Sequence, residues 1–280
     1  MSRTKPPIDN GRVLVTGASA GIGRELARQF APRARAMTLV ARRRDRLDEL
    51  RNELLARRHG LEVEVEPCDL ADLAAVEALC ARVSQRPEGI DVLVNNAGLG
   101  DLALYEEADW ARIERIVRVN VLAPALLTRR ILPGMVARGR GGILNVESGA
   151  GLNPIPGAAI YAGSKHFIDG WTESLRAELD GTGVIVTQVA PGPVRTEFDE
   201  AAGIPEGGMA AGADAFMAIS AEQAAREAIA GFDNGDALVL PGWKYKLAMA
   251  VQGRAPQGLR RAMARTMGRR VRRRLTSGPS

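Results

Sequence analysis

The feature that most constrains this 280-residue chain is a regular alternation of short β-branched runs with longer helical patterns. RVLVT (12–16), MTLVA (37–41), LEVEVE (61–66), DVLVN (91–95), GILNV (142–146) and VIVTQV (184–189) read as strands, with ALVL (237–240) as a seventh. Between them Asp45–Arg58, Leu73–Val83, Trp110–Ala137 and Ile168–Leu179 carry apolar residues at helical spacing. Strands separated by helix-length crossovers predict a parallel sheet covered on both faces. Residues 11–240 show neither an internal repeat nor a linker. The expectation is a single doubly wound Rossmann-type α/β domain with a mostly parallel seven-stranded sheet, spanning 1–242. Residues 243–280 are expected to form a basic, helical C-terminal extension.

Composition narrows the function classes. A hydrophobic share of 46% with 25% charged residues suits a globular core. The two cysteines, Cys68 and Cys80, read as small core residues rather than a disulfide. The N-terminal MSRTKPPIDNG has no apolar centre of the kind a secretory leader needs, and no run approaches the roughly 18 apolar residues that span a bilayer. A cytoplasmic protein is expected. His59 and His166 are the only histidines and no Cys/His cluster exists, so no metal site is expected. The net charge of +5 is unevenly spread. No acidic residue follows Asp236, while eleven basic ones lie between Lys244 and Arg274, which leaves the body net negative.

Four stretches carry chemistry. TGASAGIG (16–23) follows the first strand and opens the first helix. Glycines at 17, 21 and 23 permit a tight turn and close approach of a phosphate to free helix N–H groups. Its spacing is GxxxGxG, not the commoner GxGxxG. At the end of the second strand, where a carboxylate would bond a ribose 2′-hydroxyl, the chain has Ala41 and then Arg42, Arg43 and Arg44. A guanidinium fork matches a 2′-phosphate and a carboxylate repels it, so NADPH is expected over NADH, with Arg42 as the contact. NNAG (95–98) closes the fourth strand at a carboxyl end, where open α/β sheets bind ligands. Finally, YAGSK (161–165) sets a tyrosine one helical turn before one of only four lysines in a chain of 38 basic residues.

In order and spacing, TGASAGIG, Asp69, NNAG, Asn120, Ser148, YAGSK and PGPVRT (191–196) resemble the short-chain dehydrogenase/reductase family over roughly 11–242. The resemblance implies Asn120, Ser148, Tyr161 and Lys165 as the catalytic set. Tyr161 would be the general acid, its pKa drawn down from about 10 by the Lys165 ammonium. Ser148 would orient the substrate oxygen, and Asn120 would hold a water between Lys165 and solvent. The cofactor set it implies is Gly17, Ser19, Ala20, Gly21, Ile22, Gly23, Arg42, Asp69, Leu70, Asn96, Ala97, Gly98, Tyr161, Lys165, Pro191, Gly192, Val194 and Thr196. Asp69 would bond the adenine amino group or cap the helix near Asp72. Glu147 stands where the family most often has a small residue; strand alternation turns it from the site or lets it touch substrate.

The implied activity is NADPH-dependent interconversion of a carbonyl and an alcohol. Leu152, Ile155, Phe198, Met209, Phe216 and Met217, from 149–160 and a lid at about 197–220, suggest a hydrophobic ketone, aldehyde or 3-oxoacyl substrate. Leu259, Met263, Met267, Val271 and Leu275 recur every four residues among eight arginines from 260 to 274. Such a basic amphipathic helix would pack on the acidic body, interrupted at Gly253, Pro256, Gly258 and Gly268, or touch an anionic membrane. The alternative is a non-catalytic nucleotide-binding protein whose basic tail binds membrane or nucleic acid; for the enzyme no nucleic-acid partner is expected. By analogy with the family, a homodimer or homotetramer is expected.

Overall fold

The computed structural model describes residues 5–86, 88–202, 216–254 and 256–276. Its long strands are β1 (Arg12–Thr16), β2 (Ala36–Ala41), β3 (Glu62–Pro67), β4 (Val92–Asn95), β5 (Gly141–Val146) and β6 (Val184–Val189). Two-residue strands follow as β7 (Val194–Arg195), β8 (Ile219–Ser220) and β9 (Leu238–Val239). Seven of them form one parallel sheet in the order β3-β2-β1-β4-β5-β6-β9, and β7 pairs with β8 beside it. The expected fold is therefore the observed one. β1, β2, β4 and β5 are buried along their whole length, which is why they read as continuous apolar runs. β3 lies at an edge and alternates glutamate with valine; Glu62, Glu64 and Glu66 pair with Arg12, Arg86 and Arg82. Charges on an edge strand oppose pairing with another chain.

Helices cover both faces. α1 (Gly21–Phe30), α2 (Arg44–Arg57) and α8 (Ala221–Asp233) bury Leu26, Phe30, Leu50, Leu54 and Phe232 on one side. α3 (Leu73–Ser84), α5 (Ala123–Ala137) and α6 (Ala159–Glu178) bury Val76, Leu79, Leu127, Ile131 and Leu175 on the other. The one-turn helix α7 (Phe198–Ala201) begins the expected lid. Residues 203–215, Met209 among them, lie outside the described residues.

The helix expected over Trp110–Ala137 is divided. α4 (Trp110–Val117) widens into a π turn at Arg118–Leu122 before α5 continues. Pro124 is the physical reason: it has no N–H to give the Asn120 carbonyl four residues earlier. Ala123 N–H accordingly reaches back five residues to the Arg118 carbonyl. Bulges of this type concentrate at functional positions, and this one carries Asn120. The extension forms α9 (Trp243–Gly253) and α10 (Gln257–Thr276). α9 ends at Gly253 and α10 begins at Gln257, just after Pro256, two of the expected interruptions, whereas Gly258 and Gly268 sit inside α10 without ending it.

A buried polar ladder ties the sheet to α5 and α6. Asn95 Nδ2 donates to Thr128 Oγ1 at 3.2 Å and to Asn145 Oδ1 at 2.9 Å, and Asn145 Nδ2 donates to Thr172 Oγ1 at 2.9 Å. Asn145 is 1% exposed, so removing its amide strands partners away from water. Asn145→Ala is expected to lower stability by about 2–4 kcal/mol in urea unfolding. A change below about 0.5 kcal/mol would show that the ladder contributes nothing.

Candidate active site

The strand order reverses between β1 and β4, which opens a crevice at the carboxyl ends of the sheet. Gly17 and Gly21 line it at φ +67 and +54, in the left-handed region that favours glycine. A Cβ on Gly17 would lie 2.9 Å from the Ala97 backbone, and one on Gly21 3.2 Å from Thr196. Ala20 caps α1 without any side-chain bond, and no acid lies in the first turn. The first N–H groups of α1 are thus open to an anion, as a pyrophosphate requires. Ile22 packs on the core and contributes backbone only. Leu70, Ala97, Asn120 and Lys165 line a narrow cavity at the floor of the crevice, and Gly98 lets Lys165 Nζ approach within 3.5 Å of where its Cβ would be.

Several expected cofactor residues turn out to build the crevice. Asn96 Nδ2 donates to the Thr16 carbonyl at 2.9 Å, holding the Gly17 turn against β4. Asp69 accepts from Ala71 N–H at 3.1 Å and pairs with Arg115 at 2.7 Å. Burial works against its charge, but those partners and Arg42 hold the carboxyl below its ordinary range. The cap of α3 is Asp72 itself, which accepts from Ala74 and Ala75, so Asp69 has no capping role. Pro191 accepts from Gly149 N–H at 2.8 Å, Val194 pairs with Ile219, and Thr196 Oγ1 accepts from Phe198 N–H at 3.2 Å. Arg42 and Arg43 are both exposed, and Arg43 Nη2 reaches Ser19 Oγ at 3.4 Å. Arg43 and Arg46 also hold Glu197 at 3.0 and 2.9 Å, tying the start of the lid to the phosphate loop. Arg43 thus stands beside Ser19 at the glycine turn, next to the position expected of Arg42.

Ser148, Tyr161 and Lys165 meet at the end of β5. Tyr161 is hydrogen-bonded to Ser148, whose Oγ also accepts from Ala150 N–H at 3.2 Å. Lys165 is buried, with Nζ donating to the Val146 carbonyl at 3.2 Å and standing 5.9 Å from the Tyr161 ring centroid. The Asn120 carboxamide braces rather than reaches outward. It donates to Leu99 O and Ser164 Oγ, both at 2.9 Å, and accepts from Leu99 N–H at 2.8 Å. Ser164 in turn donates to Tyr161 O at 2.7 Å, so Asn120 steadies the turn that carries the tyrosine. His166 bonds only the Ala162 carbonyl among the contacts seen.

The electrostatics correct one expectation. Burial pushes the Tyr161 phenol up to about 12; the Ser148 bond opposes this, and Glu147 and Asp199 add to it. Burial also lowers the Lys165 ammonium, against the pull of Glu147. The protein's own side chains therefore keep Tyr161 protonated through neutral pH instead of drawing it toward phenolate. Desolvation is the largest influence on the phenol, and Lys165 Nζ stands 5.9 Å from the ring centroid.

Phe198 from α7 lies against Tyr161, ring centroids 5.5 Å apart. Phe216 is exposed and covered by Lys244 at 3.8 Å. On the opposite wall α10 docks through Val271 against Gly157, Arg260 to the Leu152 carbonyl at 3.3 Å, and Arg272 to Glu106 at 2.6 Å. Thr16, Arg43, Ser164 and Tyr245 also stand at the candidate site, though the sequence assigned them no role. Thr16, opening the glycine motif, and Arg43, within the arginine run 42–44, carried a local signal; Ser164 and Tyr245 did not.

A model of the short chain dehydrogenase family matches residues 11–206. Sulfoacetaldehyde reductase 2 of Chromohalobacter salexigens is 39% identical over 189 residues, covering 66% of this chain and 73% of that protein. A short-chain dehydrogenase from Sphingobium yanoikuyae, solved in complex with NADPH, superposes with TM-score 0.78 at 31% identity, over 89% of this chain and 94% of that one. The bulky-bulky ketone specific alcohol dehydrogenase of Comamonas testosteroni gives 0.72 at 27% identity, over 88% and 95%. The chain belongs to the short-chain dehydrogenase/reductase family of NAD(P)-dependent oxidoreductases.

Arg43→Ala is expected to weaken NADPH binding about tenfold, as loss of one charge-assisted contact would, and to leave NADH unchanged. Fluorescence titration of both nucleotides checks this. Unchanged NADPH affinity would remove Arg43 from the site.

Proposed function

We propose that this protein reduces the carbonyl of a fairly hydrophobic substrate to an alcohol at the expense of NADPH. The observation that carries the reading is the meeting of Ser148, Tyr161 and Lys165 at the end of β5, with the half-buried Tyr161 faced by the Phe198 ring at the mouth of the crevice. A phenol kept protonated at neutral pH is suited to give a proton to an oxygen that gains charge. When bound, NADPH supplies the hydride. Ser148 orients the carbonyl oxygen, Tyr161 protonates it, and Lys165 stabilises the phenolate left behind. Asn120 holds the Tyr161 turn through Ser164. Arg42, Arg43 and Ser19 favour the 2′-phosphate, in keeping with the NADPH in the Sphingobium neighbour.

Phe198, Leu152 and Ile155 support an apolar substrate, and one structural neighbour is described as specific for bulky-bulky ketones. The sulfoacetaldehyde reductase shows by its name that relatives also take small anionic aldehydes, so the panel should include both kinds. Trp243, Leu247 and Val251 form an exposed row on the basic extension, which supports peripheral contact with an anionic membrane. The docked Val271 and Arg272 favour packing of α10 on its own body instead. An exposed Phe167 stacked on Trp171 at 6.2 Å on α6 supports assembly of copies through that helix.

Tyr161→Phe keeps the ring against Phe198 and removes the proton. It is expected to lower kcat for carbonyl reduction by about 10²–10⁴ while NADPH binding persists. Wild-type oxidation of the alcohol product, which needs the phenolate, should accelerate as pH rises toward the phenol's high pKa. NADPH-oxidation assays over aryl ketones and small aldehydes check both points. Undiminished turnover in the variant would exclude Tyr161 as the proton donor.

A further inference from the structure

Hydride transfer has no evident use for Glu147, and its surroundings are unusual for a carboxylate. It is 4% exposed, and neither oxygen has a hydrogen-bond partner among the described residues. Glu147 N–H donates to the Val189 carbonyl at 2.8 Å, which prolongs β5 beside β6. Alternation then turns Glu147 to the same face as Asn145, toward α6. Its Oε2 lies 2.9 Å from where a Gly151 Cβ would be, and the Lys165 carbonyl stands equally near that point. The carboxyl thus rests beside the backbone of the helix that carries Tyr161 and Lys165.

Charged and titratable groups face it from each packed element. Lys165 and Asp169 come from α6, Gln188 from β6 and Tyr245 from α9. Gln188 Nε2 is committed to Asp169 at 2.8 Å, and Gln188 Oε1 has no partner. Tyr245 is 7% exposed and its hydroxyl is likewise unpaired. It enters through gaps that only glycine leaves. A Cβ on Gly149 would lie 1.9 Å from its hydroxyl, and one on Gly192 2.6 Å from its ring. Unpaired buried polar groups from three elements therefore converge behind Ser148, where each calls for an account.

We propose that Glu147 and Tyr245 form a polar back wall that sets the proton affinity of the Tyr161–Lys165 pair, acting as positioning residues. The inference rests on the reading of Tyr161 as proton donor. Burial disfavours the carboxylate and outweighs the opposing pull of Gln188 and Lys165, so Glu147 is pushed well above the ordinary glutamate range. Its neutral form prevails on the acid side, and its charge appears as pH rises. That charge raises both Tyr161 and Lys165, making Tyr161 a weaker acid. Reduction should therefore slow across the titration of Glu147. The slowing is bounded at about tenfold, the equivalent of one pKa unit. Tyr245 brings the extension into the catalytic centre.

The test uses the full chain as wild type, Glu147→Gln, Tyr245→Phe and Tyr161→Phe, with acetophenone as the carbonyl probe. Two readouts are taken: the pH profile of kcat for NADPH-dependent reduction, and infrared difference spectra of the carboxyl C=O band. Wild type should lose two- to tenfold of kcat between about pH 5 and 9, the span between ordinary and strongly raised glutamates. Glu147→Gln should lose the step that Glu147 contributes and keep only that of Lys165, whose ammonium burial lowers into this range, with KM for NADPH unchanged, and Tyr245→Phe should move the Glu147 inflection. A protonated carboxyl band should persist at neutral pH in wild type and Tyr161→Phe and vanish in Glu147→Gln. Superimposable wild-type and Glu147→Gln profiles, or no neutral-pH band lost on that substitution, would overturn the proposal. Should wild type not reduce acetophenone, the reading of Tyr161 fails on that probe. The band then decides Glu147 alone: its absence overturns the back wall, and its presence upholds it.

Discussion

The hydroxyl of Thr16 holds the site's foundation together. It donates to Val94 O at 3.1 Å and accepts from the N–H groups of Asn96 and Ala97 at 2.9 and 3.1 Å. Those bonds join the ends of β1 and β4, the two strands between which the sheet order reverses. The glycine turn, the start of α1 and the floor beneath Lys165 all hang from that junction. With Asn96 returning a bond to the Thr16 carbonyl, the crevice is closed from below by a few short polar contacts. The apolar strands supply stability, and this junction supplies the opening.

Above the junction, burial is the dominant electrostatic force. It raises Tyr161, lowers Lys165 and raises Glu147, in each case disfavouring charge. A phenol so placed suits the role of proton donor proposed for Tyr161. Polar partners then adjust that baseline: Ser148 from the substrate side, Glu147 from behind. The contacts of α9 and α10 with 149–157 mean that the extension shapes the wall facing Phe198.

The parallel sheet was legible because its central strands are apolar on both faces and its turns carry glycine at fixed places. Ser148, Tyr161 and Lys165 were legible because one strand end and one helical turn bring them together. Other features were hidden for physical reasons. The apolar period runs on through 110–137, so only Pro124 hinted that the helix would open at Asn120. Arg42 and Arg43 are equivalent in sequence, and side-chain direction alone brings Arg43 to Ser19. Tyr245 arrives from a distant helix, its sole traces being the glycines at 149 and 192. The balance between a lysine's field and burial at Tyr161 depends on desolvation, which no motif spacing encodes.

In the proposed reduction, hydride reaches a carbonyl carbon while Tyr161 protonates its oxygen. The most direct measurement is mass spectrometry of the alcohol formed from NADPH deuterated at both C4 positions and an aryl ketone, with wild type and Tyr161→Phe. One deuterium at the carbinol carbon is expected with wild type and almost no labelled alcohol with the variant. Unlabelled alcohol, or equal labelled product from both proteins, would contradict it.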